Sequence, residues 1–86
     1  MKKIELSKDI RLVEIELSLA SKKIKLAATR EKCNDVLVEM VDEDGMATSK
    51  PLHKILPEIK SKKPLIKIRF LMNDFSTKPI TISVDC

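Results

Sequence analysis

Apolar and polar residues alternate in three stretches of this chain, with Leu71 as the one apolar residue at a polar position, and this period of two constrains the fold more than any other feature. The stretches lie within residues 13–19, 66–72 and 80–84. Successive side chains of a β-strand point to opposite faces, so the alternation predicts strands with one buried and one exposed face. Such strands bury their apolar faces together, and we therefore expect a mainly antiparallel sheet.

Residues 10–20 also fit a second interpretation. Ile10, Val13 and Leu17 recur at the spacing of an amphipathic helix. The β-branched residues and the Glu-Ile-Glu-Leu alternation favour a strand instead. Leu12 and Val13 are adjacent apolar residues, so the alternation of apolar and polar residues shifts by one position between them. This shift predicts a β-bulge.

Two further strands are predicted in the first half of the chain. Residues 24–28 resume the alternation after the polar residues 21–23, which predicts a short turn between paired strands. Residues 36–41 are apolar on both faces, as is typical of a central strand. Asp44 and Gly45 follow, and this pair favours a tight hairpin turn, since Gly45 is the only glycine in the chain.

A short helix is predicted over residues 51–60. Four apolar residues recur at helical spacing, namely Leu52, Ile55, Leu56 and Ile59. Pro51 suits the first turn of a helix, whereas Pro57 lacks an amide proton and predicts a break.

The order is therefore three strands, a helix and two strands, in one β-rich α+β domain spanning residues 1–86. This order resembles that of a small OB-type barrel, and an open sheet with one covering helix is the alternative. Ile4 and Leu6 fit a short additional strand, and Pro79 fits the start of the last strand or an edge. The predicted core consists of Val13, Ile15, Leu17, Ile24, Leu26, Val36, Val38, Ile66, Ile68, Phe70, Ile80 and Ile82.

No catalytic or metal-binding constellation is visible in the sequence. His53 is the only histidine and lies off the apolar stripe, which predicts an ordinary surface residue. Cys33 and Cys86 alone cannot complete a zinc site, and the spacing of residues 42–46 does not fit a calcium loop. One glycine is too few for a phosphate-cradling loop. We therefore expect no enzyme activity, no metal and no cofactor.

The sequence also predicts a location. Two cysteines are not the disulfide framework of a small secreted domain, which favours a reducing compartment, the cytoplasm. Charged residues interrupt any signal-peptide core within residues 1–20. The longest uncharged run, Pro79–Val84, is far shorter than a membrane span, so neither export nor a membrane is expected.

Basic residues concentrate in one segment, residues 50–69, which holds seven of them against one acidic residue. They are Lys50, Lys54, Lys60, Lys62, Lys63, Lys67 and Arg69. On one face they would form a cationic patch of the kind that binds a phosphate backbone, and Lys22, Lys23 and Lys25 would extend it. The chain has no Trp or Tyr on which bases could stack.

The sequence is compatible with two functions, and with a third interpretation in which the basic residues have no binding role. The first function is a non-enzymatic protein-binding module or assembly subunit that docks on a larger protein, with Leu37, Leu71 and Phe75 as outward apolar contacts. The second is a nucleic-acid-binding protein that uses the basic segment. The third interpretation is that the lysines are only a solvated surface.

Overall fold

A computed structural model describes residues 2–29, 35–73 and 78–85 of the chain. These form β1 (Lys2–Leu6), β2 (Leu12–Ala28), β3 (Val36–Asp42), β4 (Ala47–Pro51), α1 (Leu52–Ile55), β5 (Glu58–Met72) and β6 (Ile80–Asp85). The strands build one antiparallel sheet in the order β1-β6-β2-β5-β3-β4. The predicted β-rich fold with one short helix is confirmed. The predicted barrel is not, because β1 and β4 are open edges, each pairing with one neighbour among the described strands.

Strands β2 and β5 bend sharply, and the sheet folds over itself as a result. A straight strand of 17 residues, the length of β2, would span about 56 Å. The longest dimension of the molecule is only 34 Å. The bend lies at two register shifts around Ser21, where residues 61–64 of β5 lie opposite Lys22 alone. The Ser21 hydroxyl donates to the carbonyl of Lys23 and accepts from its N–H, which stabilises the irregular backbone.

The turn predicted at residues 21–23 is therefore wrong, since β2 continues through it. A tight hairpin turn needs residues that adopt positive φ, and Ser-Lys-Lys offers none. The strand interpretation of residues 13–19 is confirmed. The bulge predicted between Leu12 and Val13 is wrong, because both pair in unbroken register with Leu71 and Phe70. Leu12 simply faces outward and is 54% exposed.

The core fills the space enclosed by the folded sheet. It is one cluster to which every described strand except β4 contributes, and Leu52 and Ile55 of α1 cover one end of it. Most of the predicted core is buried, with Val13 and Leu17 half-buried against it. The fully buried members include Phe70, Ile24, Ile68, Ile80, Ile82, Leu6, Val36, Val38 and Val84.

Ile66 is the exception among the predicted core residues, being 38% exposed. Val41 lies opposite Lys67, whereas the next residue, Asp42, lies opposite Leu65, so Ile66 is the extra residue of a bulge. Leu65 takes the inward position instead and is 3% exposed. Strict alternation cannot reveal such a one-residue slip, because it moves every following side chain to the other face.

The β3–β4 hairpin confirms the predicted Asp-Gly turn. The Gly45 N–H donates to the carbonyl of Asp42, and the Asp42 N–H donates to that of Met46. The Asp42 carboxylate also accepts the N–H groups of Asp44 and Met46. This is a three-residue loop whose last residue, Gly45, has φ +83°. Strand β4 itself was not predicted, since its sequence Ala-Thr-Ser-Lys-Pro lacks apolar alternation.

The helix is shorter than predicted and lies after four strands rather than three. Pro51 precedes its first residue, and α1 ends at Ile55, just before Leu56 and Pro57. The predicted break at Pro57 is confirmed. The continuation to residue 60 is wrong, because β5 begins at Glu58.

Replacing Gly45 by Ala should lower the free energy of unfolding by about 1 kcal/mol, because an L side chain is strained at positive φ. No atom lies within 4 Å of the added Cβ, so the cost is purely conformational. Gly45→Asn is the matched control and should cost less, since Asn tolerates this region. Urea denaturation measures both, and equal stability of the Ala variant and the wild type would contradict the turn.

The bulge at Ile66 predicts a contrast between neighbouring isoleucines. Ile68→Ala removes a fully buried side chain and should cost about 3 kcal/mol. Ile66→Ala should cost less than about 1.5 kcal/mol, because its side chain is already part-exposed. Equal losses in urea denaturation would mean that Ile66 also faces the core.

Candidate functional site

The structure divides the seven predicted basic residues between two places. Five of them line one open cavity of about 890 Å³ between β4, α1 and the first half of β5. We call this cavity the lysine groove, and its five lysines are Lys50, Lys54, Lys60, Lys62 and Lys63. Sequence reasoning found these residues, although neither β4 nor the bend of β5 that brings them together was predicted.

The floor of the lysine groove is apolar. Met40, Ile55 and Leu65 line it from three different elements and belong to the hydrophobic core. The side chains above them are polar because β4 places Thr48 and Lys50 opposite Met40 and Val38, on the inward face of the sheet. An inward position of an edge strand thus carries lysine rather than an apolar residue. The groove therefore combines an apolar base with a cationic rim.

Two of the five lysines have carboxylate partners. The Lys63 ammonium lies 2.5 Å from Asp44, and that of Lys60 lies 3.9 Å from Glu58. The remaining three, Lys50, Lys54 and Lys62, form no ion pair within the described part of the chain. The Asp42 carboxylate, also at the groove, already accepts two backbone N–H groups. The rim therefore carries uncompensated positive charge.

One wall of the lysine groove is formed by a continuous stretch of chain. Seven consecutive residues, 57–63, line it, whereas β4 contributes alternate residues only. Consecutive residues of a regular strand point to opposite faces, so a cavity lined by all of them lies at the edge of the strand or beside an irregular stretch such as residues 61–64. Strand β3 pairs with β5 from Leu65 onward. Along residues 58–63 no described strand occupies the side of β5 that faces away from β2.

Lys67 and Arg69 do not belong to the lysine groove. They lie on the outward face of β5, where Glu14 accepts from Arg69 Nε at 2.5 Å and lies 3.5 Å from the Lys67 ammonium. Arg69 Nη1 donates to Glu39 at 2.8 Å. The hydrogen bond from Arg69 lowers the pKa of Glu14, and the same bond raises the pKa of Arg69. The structure therefore brings five of the seven predicted basic residues together in the lysine groove and places these two on the outward face of the sheet.

Two of the three predicted apolar contacts, Leu37 and Leu71, lie on this outward face. Leu37 and Leu71 are directly opposite each other on β3 and β5. Leu12 of β2 is opposite Leu71 on the other side, so three leucines form a row across the sheet. Sequence reasoning missed Leu12 because it assigned a change of phase there. Phe75, the third predicted contact, lies outside the described residues.

Other chemistry is sparse in the described ranges. No group of three His, Cys, Asp or Glu side chains is arranged there to hold a metal ion. His53 is exposed on α1. Cys33 and Cys86 lie outside those ranges. No helix among the residues described is both long and apolar enough to cross a membrane.

The Glu14–Arg69 pair predicts an acid-dependent difference between wild type and Glu14→Gln. Because folding lowers the pKa of Glu14 below its ordinary value of 4.5, its contribution is complete above that value and is lost as pH falls through the lowered pKa. The stability deficit of the variant should thus be largest near neutral pH and shrink below 4.5. Urea denaturation across that range measures it. Glu5→Gln, an exposed residue opposite Thr81, is the control, and a deficit independent of pH would contradict the assignment.

Comparison with known proteins does not add a relative. No protein-family model matches the chain, and neither a curated protein nor a solved structure matches it. The chemistry of the lysine groove is therefore the basis for a function.

Proposed function

We propose that this protein is a small non-enzymatic module that docks on a larger protein partner through the lysine groove. The observation that carries the proposal is the combination of five lysines with an apolar floor in one cavity. A protein surface offers both kinds of contact, since carboxylates meet lysines while apolar side chains bury the floor. The core of a protein interface is apolar and its rim is polar, as the groove is.

The side chains that line the lysine groove fit binding better than catalysis. The two carboxylates that line the groove are Asp42 and Glu58. Asp42 is held by backbone N–H groups, and Glu58 lies near Lys60. Acid–base or nucleophilic catalysis needs a pair of groups in mutual contact at a reacting atom. The proposal includes a cytoplasmic location, because two cysteines in 86 residues do not make the framework of a small secreted domain.

Nucleic acid is the second candidate, favoured by the three groove lysines that form no ion pair with any described residue. Phosphates would meet these cations and release counterions. They would leave the apolar floor uncovered, however. Base stacking would need aromatic side chains, yet Phe70 is fully buried and the chain has no Trp or Tyr. These points favour a protein partner.

Capture from native lysate, with and without nuclease, separates the two candidates. We expect the wild type to retain a discrete protein after nuclease treatment. Lys50→Glu with Lys62→Glu should reduce that capture by about tenfold or more, because two cations at the rim become like charges for an acidic partner. Lys3→Glu with Lys8→Glu is the matched control, since both residues are exposed and lie on or just after β1, away from the groove.

Two outcomes would change the proposal. Loss of all captured material with nuclease, together with a steep fall of affinity with salt, would favour nucleic acid. The second outcome concerns the leucine row. If Leu12→Ser with Leu37→Ser abolishes capture while the lysine variants do not, the docking surface is the outward face of the sheet.

A further inference from the structure

The unpaired side of β5 suggests how the partner binds, an inference that rests on the proposed function. We propose that the lysine groove takes an extended acidic segment of the partner, which adds as a strand to β5 along residues 58–63. Three observations carry this step, namely the free strand edge, the charge of the rim and the apolar floor.

The strand edge supplies main-chain hydrogen bonds. At residues 58–60 β5 pairs with β2 on one side, whereas residues 61–63 belong to the irregular stretch opposite Lys22. From Glu58 to Lys63 no described strand pairs with the other side of β5. Residues 57–63 all line the cavity. An unpaired row of N–H and C=O groups is a template for a further strand. A strand of six residues spans about 20 Å.

The rim selects acidic side chains. Lys50 lies on β4 and Lys62 on β5, so an added strand would have on both sides cations that form no ion pair among the described residues. Lys54 adds a third from α1. Carboxylates of the incoming segment would complete these ion pairs. A basic or neutral segment would leave them without partners.

The floor selects apolar side chains at alternate positions. Met40, Ile55 and Leu65 lie beneath the rim. Successive side chains of an extended strand point to opposite faces, so one set meets the floor while the other meets the lysines or solvent. The predicted ligand is therefore a segment in which acidic and apolar residues alternate. A nucleic-acid backbone could use the lysines, but it would offer neither the N–H groups nor the apolar side chains.

Synthetic peptides test the mode of binding directly. The probe is a fluorescent peptide of about eight residues in which Glu and Val alternate, long enough to cover the free edge. Its controls are a peptide with the same composition in blocks, and two versions N-methylated either at every Glu amide or at every Val amide. Alternate amides of a strand point to opposite sides, so only one of the two methylated sets would face β5.

We expect the alternating peptide to bind, and Lys50→Glu with Lys62→Glu to weaken it by about tenfold or more. One methylated version should lose about tenfold in affinity while the other keeps it. Amide hydrogen exchange should slow within residues 58–63 when the peptide binds. The Lys3→Glu with Lys8→Glu variant should bind the peptide as the wild type does.

Strand addition is overturned if both methylated peptides bind as well as the parent, if the block peptide binds equally, or if exchange within residues 58–63 is unchanged. Failure of the alternating peptide to bind also overturns it. None of these outcomes affects the proposed function, which depends on capture of a nuclease-resistant protein by the lysine groove. A captured partner combined with a failed peptide would mean that docking uses the groove without an added strand.

Discussion

The bend shared by β2 and β5 is the feature on which the rest of the molecule depends. A six-stranded sheet that stayed open and nearly flat would leave one apolar face in water. Folding at the irregular pairing near Ser21 brings the two parts of the sheet together, so that side chains as far apart along the chain as Leu6 and Phe70 are fully buried. Apolar burial of this kind is the main favourable term for a small domain. The same bend carries the first half of β5 away from β3, and the lysine groove lies in the gap.

Much of this fold could be predicted from the period of two. The strands at residues 13–19, 36–41, 66–72 and 80–84 are confirmed, because each has an apolar face that must be buried. The predictions that were wrong concern short local features. Whether polar residues such as 21–23 form a turn or a bulge depends on the strand opposite, which a single segment does not reveal. Strand β4 has no apolar face of its own, since it forms a polar edge.

The sequence predicts which basic residues belong to the candidate site, but it does not predict which of them lie together. Lys67 and Arg69 are two residues apart on β5, so the alternation of side chains along the strand already places them together on the outward face. That Glu14 and Glu39 lie beside Arg69 follows from the pairing of three strands, and long-range register is not encoded in any one segment. The groove, likewise, needs β4, α1 and β5 to meet.

The distribution of acidic side chains is itself an argument for a binding role of the groove. Glu14 and Glu39 both pair with the cations of the outward face, while three groove lysines have no carboxylate partner in the part of the chain that the structure describes. Lys60 even lies directly opposite Lys23 on β2, and like charges opposite each other destabilise a sheet. A surface optimised for folding alone would intersperse the two signs. A cavity with an excess of lysines, an apolar floor and a strand edge that no described strand covers instead favours a ligand that supplies the missing negative charge.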